Sequence, residues 1–73
     1  MNSEQILAEI REANLSYLML AQSLIRTDRE QALFRLGVSE ETAALIGTLT
    51  PAQMMKIATT NTLLCRFRMD DDV

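Results

Sequence analysis

An all-α fold follows from three observations along this chain. Residues 3 to about 26 carry apolar positions at helical spacing, with no Gly or Pro among them. A helix-start signature then recurs at Asp28, Ser39 and Thr50. Alternation with a period of two is confined to the end, where Cys65, Phe67 and Met69 interleave with Arg66, Arg68 and Asp70. The expected architecture is a long N-terminal helix, three short helices and a short extended C-terminal segment, forming one domain over residues 1–73.

Asn2 or Ser3 caps the first helix, with Glu4 near its positive end. Running to about Arg26, it would be roughly 34 Å long at 1.5 Å per residue. Within residues 13–25, nine of thirteen positions are apolar. At 100° per residue a broad face holds Ile6, Leu7, Ile10, Ala13, Tyr17, Leu18, Leu20, Ala21, Leu24 and Ile25, with Asn14 inside it. Leu15 and Met19 project on the opposite side as a narrow ridge, with Ala8 near their line.

Asp28 starts the second helix, and Gln31 three residues later completes a capping-box pattern. Ala32, Leu33 and Leu36 give its stripe, and Gly37 supplies the left-handed stop. Ser39 caps the third helix ahead of Glu40 and Glu41, and its stripe is Thr42, Leu45, Ile46 and Leu49. Thr50-Pro51-Ala52-Gln53 opens the fourth helix with a capping Thr, Pro at the first position and Gln at the third. It extends to about Thr59, with Met54, Met55, Ile57 and Ala58 inward. Asp70-Asp71-Asp72 is a solvated acidic end.

Composition narrows the function. A chain of 73 residues buries only a small core of its own. It has no His and a single Cys, so neither a structural zinc site nor an intrachain disulfide is expected. Oligomerisation is the remaining support, and the over-apolar first helix points to it. Seven Lys/Arg against ten Asp/Glu give a net charge of −3, a poor match for phosphates. No apolar run reaches the ~18 residues of a membrane span. The first residues lack the basic start of a signal peptide, so a cytoplasmic location is expected. Without a His, a Gly-rich phosphate loop or a nucleophile beside a base, the chain is read as no enzyme, with no small-molecule substrate and no cofactor.

Single residues leave alternatives open. Asn14 on an apolar face is either a register device bonded to its mate across a two-fold axis or an amide bonded to a backbone carbonyl at a helix crossing. Cys65 is either an inert small hydrophobe or half of an interchain pair formed by two antiparallel copies of the alternating segment. Leu15 and Met19 are either tolerated surface residues or a second contact. Phe34 points off its helix's inner stripe, so it folds back to the core or reaches a partner. Residues 28–49 have the size of a helix-turn-helix. The third helix opens with Glu40 and Glu41 and has no Lys or Arg, which favours a packing hairpin over a groove reader.

Asn14-Leu15-Ser16-Tyr17-Leu18, Leu20-Ala21-Gln22, Leu24-Ile25 and Phe34-Arg35-Leu36-Gly37 together resemble the FlhD family of bacterial flagellar transcriptional regulators. The likeness continues through Glu40-Glu41, Leu49-Thr50, Gln53-Met54, Lys56, Ala58, Thr60-Asn61, Leu63, Cys65 and Phe67-Arg68. The resemblance implies an all-helical, intertwined homodimer that joins FlhC in a complex of four FlhD and two FlhC subunits. It implies activation of flagellar operon promoters, with RNA polymerase recruited by the complex. Zinc and most of the DNA contact would belong to FlhC. The cysteine matching Cys65 can form an inter-subunit disulfide. The family pattern continues past Val73 into a tail with a proposed helix-turn-helix. On this reading Ile10, Asn14, Tyr17, Leu18, Ala21, Ile25 and Phe67 build the dimer, and Leu15, Met19 and Phe34 face the partner. The competing readings are an autonomous helix-turn-helix regulator using residues 28–49 and a structural protein-interaction adaptor.

Overall fold

A computed structural model describes residues 2–60 and 62–64. Four helices make up the fold: α1 (Ser3–Thr27), α2 (Arg29–Leu36), α3 (Glu40–Thr48) and α4 (Pro51–Ala58). No strand occurs among the described residues. The expected extended segment around Cys65 and Phe67 lies outside them.

Local chemistry sets each boundary. Asn2 caps α1 in a reciprocal box with Gln5: the Gln5 N–H donates to Asn2 Oδ1 at 2.8 Å, and the Asn2 N–H donates to Gln5 Oε1 at 3.1 Å. Thr50 and Gln53 repeat the arrangement at α4, with Pro51 in the first turn. Asp28 takes the Gln31 N–H at 3.2 Å, and Ser39 takes the Thr42 N–H at 3.2 Å. Gly37, at φ 67°, ends α2 in the left-handed region that only glycine enters without strain.

α1 is the spine, about 38 Å long for its 25 residues. The three short helices all pack on it, and α2 also touches α3. One cluster joins Ala21 and Ile25 of α1 to Ala32 of α2 and to Ala43 and Ile46 of α3. Leu24, Leu33, Leu36 and Val38 pack around it. The other joins Leu18 of α1 to Leu49, Met54 and Ala58, with Leu15 and Leu64 against it. Four alanines, Ala21, Ala32, Ala43 and Ala58, are wholly buried where helices meet. Gly47 serves the same close approach, since a Cβ there would lie 3.2 Å from Ile25 Cγ2.

The inward faces are narrower than the sequence pattern suggested. Leu45 of α3 and Met55 and Ile57 of α4 are exposed rather than inward. Helices of two turns present only one or two positions to a spine, so their remaining apolar residues face out. Thr42 is exposed as well; its hydroxyl accepts a bond from Ser39 Oγ at the helix start. On α1, residues 3–9 are exposed throughout, with Leu7 bordering a cleft shared with Arg11, Thr59 and Thr60.

Candidate functional site

α1 reaches the rest of the chain through three polar side chains as well as through its apolar ones. Asn14 is buried, and its Nδ2 donates to the Ala58 carbonyl at 3.2 Å and the Thr62 carbonyl at 3.0 Å. Its Oδ1 accepts the Leu64 N–H at 2.8 Å. Two turns on, Gln22 Nε2 donates to the Ile46 and Leu49 carbonyls at 3.0 and 2.8 Å. One turn further, Arg26 Nε and Nη2 both donate to the Gly47 carbonyl. The last carbonyls of a helix have no partner within it, and a cation there also meets the negative end of the dipole. Asn14 thus serves the end of α4, and Gln22 and Arg26 serve the end of α3. For Asn14 the helix-crossing alternative is the one observed within this chain. Gln22 and Arg26 were missed in the sequence. The signal was there, because residues 14, 18, 22 and 26 fall on successive turns.

The burial pattern divides the broad apolar face of α1 in two. Leu18, Ala21 and Ile25, with Asn14, are buried inside the chain. A second stripe consists of Ile6, Ile10, Ala13, Tyr17, Leu20 and Leu24. These positions advance by four, three, four, three and four residues, the spacing of a coiled-coil seam. Ile6, Ala13 and Leu20 are exposed, while Ile10, Tyr17 and Leu24 are half-buried. Leu20 keeps 58% of its surface in solvent. Leu24 also packs on the cluster around Ala21 and Ile25, so among the described residues the open part of the seam is Ile6, Ala13 and Leu20.

The residues proposed for partner contact separate. Leu15 is half-buried against the cluster around Leu18 and Met54, so it does not stand with Met19 as a free ridge. Met19 is exposed and borders a groove of about 310 Å³ with Gln22, Ser23, Arg26, Thr27 and Met54. Phe34 is 78% exposed on α2, the most exposed large apolar residue described, and reaches outward rather than back to the core. Cys65 and Phe67 lie outside the described residues.

The α2–α3 hairpin is present, and Arg29 Nη2 ties its first helix to the Glu40 carbonyl at 3.2 Å. Glu40 and Glu41 are exposed at the start of α3, where a groove-reading helix would meet phosphates. Among the described residues no cluster of three His, Cys, Asp or Glu side chains is arranged to hold a metal ion, and no helix is long and apolar enough to cross a membrane.

A family model described as flagellar transcriptional activator (FlhD) matches residues 1–73. The chain is 62% identical over 73 residues to the flagellar transcriptional regulator FlhD of Acidovorax sp. (strain JS42), spanning all of this chain and 67% of that relative. It is 58% identical over 71 residues to that of Ralstonia nicotianae (strain ATCC BAA-1114 / GMI1000), spanning 97% of this chain and 68% of the relative. Against the FlhD of Nitrosomonas eutropha (strain DSM 101675 / C91 / Nm57) identity is 53% over 73 residues, spanning the whole chain and 70% of the relative. Matched along its whole length by the family model and by relatives well over half identical, the chain belongs to the FlhD family of flagellar transcriptional activators.

Proposed function

We propose that this chain is a non-catalytic, cytoplasmic subunit of a flagellar transcriptional activator, and that it acts as a homodimer. The observation that carries the reading is the seam of Ile6, Ile10, Ala13, Tyr17, Leu20 and Leu24 on α1, with Ile6, Ala13 and Leu20 exposed. A stripe at 3.5-residue spacing buries itself well only against another helix with the same spacing. A second copy of α1 supplies one. Ile10 and Tyr17 lie on this seam, whereas Asn14, Leu18, Ala21 and Ile25 support it from behind. A disulfide between Cys65 residues would add a covalent tie.

The dimer then offers FlhC a platform, in a complex of four FlhD and two FlhC subunits at flagellar promoters. Phe34 and Met19 are the outward apolar residues best suited to that contact, with Leu15 bracing Met19's helix from inside. FlhC would supply the zinc site and most of the DNA contact, and RNA polymerase would be engaged by the whole complex. The net charge of −3 and the acidic start of α3 fit a subunit that does not grip DNA by itself. No cofactor, small-molecule substrate or membrane enters this reading.

A gel shift at low salt, with and without FlhC, tests the division of labour. The expected result is retardation of promoter DNA only when FlhC is present. Strong binding by this chain alone would instead favour an autonomous regulator using residues 28–49.

A further inference from the structure

We infer that Asn14 is a positioning residue that fixes where the chain leaves the helical core after α4. One buried amide makes three hydrogen bonds, and all three go to the backbone that follows Lys56: the carbonyls of Ala58 and Thr62 and the N–H of Leu64. An amide has two N–H donors and an acceptor oxygen, and this pattern uses both donors and one lone pair. Aspartate has the same shape but no donors, so it would set a carboxylate against two carbonyl oxygens. Leucine would remove all three of these bonds, leaving the Ala58 carbonyl with the Thr60 N–H at 2.9 Å.

Of the residues held this way, Ala58 ends α4, whereas Thr62 and Leu64 belong to no helix. Leu63 is exposed, and Leu64 packs on the cluster of Leu18, Leu49, Met54 and Ala58. Asn14 stands in the middle of α1, on the helix that also carries the seam. The same helix therefore presents the seam on one stripe and holds the chain's exit on another. Thr62 and Leu64 are thus held at a point set by an α1 side chain, so these residues and the seam keep a fixed relation. The functional weight of that relation rests on the proposed homodimer.

Backbone hydrogen exchange on the full chain tests the assignment. Asn14→Asp and Asn14→Ala are compared with the unsubstituted protein at the amides of Leu64, Leu18 and Ile46. The Ala variant keeps α1 strongly helical and adds no charge, so it serves where the Asp variant does not fold. The expected result is local: in the Ala variant, which removes the acceptor as well as the donors, Leu64 exchanges at least about tenfold faster, while Leu18 and Ile46 change by less than about threefold. Equal acceleration at all three amides would reduce Asn14 to a general core residue and overturn the inference. So would no change at Leu64. Light scattering on the unsubstituted chain separates the two readings: a monomer there removes the dimer but leaves the exchange result to judge Asn14.

Discussion

Ile25 Cγ2 lies 3.2 Å from the point that a Cβ on Gly47 would occupy. The contact explains a glycine inside a two-turn helix, where it costs about 1 kcal/mol of helix propensity relative to Ala. The branched Ile25 side chain is buried and stiff at χ1, so it yields little. Overpacking of this kind costs typically 1–3 kcal/mol. Gly47→Ala is expected to lose about 1 kcal/mol net, despite the better helix former, and to lower the melting temperature by about 4–8 °C. A thermal melt of the two proteins checks the sign, and a higher melting temperature would mean that Ile25 moves aside.

Gln22→Leu removes the donor shared by the Ile46 and Leu49 carbonyls, in a site 9% exposed. The Ile46 carbonyl keeps the Leu49 N–H at 3.2 Å, so the loss falls mainly on the Leu49 carbonyl, and leaving a buried acceptor unpartnered costs about 1–3 kcal/mol. Stability in a urea titration should fall by about 1–3 kcal/mol, despite the gain in hydrophobicity. A variant as stable as the parent would mean that the Leu49 carbonyl finds water instead.

Leu20→Glu places a charge in the proposed seam at a position that is open within one chain. The helical signal should persist, since surface substitutions usually change stability by less than about 0.5 kcal/mol. Association should weaken by at least about tenfold, as expected for a buried interface anchor. Met19→Glu, one residue away and off the seam, should leave association unchanged. Light scattering over a dilution series reads both, and equal effects would discard the seam.

Phe34→Ala removes a side chain with few neighbours in its own chain. Its effect on thermal stability should stay within about 0.5 kcal/mol. Capture of FlhC on an affinity column should drop at the same time. Unchanged capture would mean that this aromatic is not part of the contact.

Cys65→Ser tests whether the thiol contributes covalently. In oxidising buffer the parent should run at twice its mass on a non-reducing gel, and the variant at its single mass. Light scattering should still find a dimer of the variant, because the seam on α1 needs no sulfur. A variant that is monomeric at every concentration would make the disulfide the main tie.

The helix starts were legible in the sequence because capping is local. Asn2, Asp28, Ser39 and Thr50 each bond to a backbone N–H three residues on, and no distant residue is needed to see it. The direction of α1 was not legible to the same degree. Angular placement at 100° per residue joined Leu20, Leu18 and Ile25 into one face, and only packing by α2, α3 and α4 separates the core side from the seam. The polar ties were harder still. Asn14 stood out because its neighbours are apolar, but Gln22 and Arg26 resemble ordinary surface residues until the ends of α3 are placed beside them. Leu15 and Met19 show the converse: four residues apart on one side, they part because a short helix covers the first and not the second.

The wholly buried alanines give the core an unusual economy of motion. Ala21, Ala32, Ala43 and Ala58 have no side-chain rotamers to lose on folding, whereas a buried methionine or glutamine gives up about 1.5–2 kcal/mol of rotamer freedom. At these four points the contact in the core is made by side chains with no rotamers to fix, beside Leu18, Ile25, Ile46, Leu49 and Met54, which do have them. Enlarging any of these alanines would add both bulk and disorder at the same point.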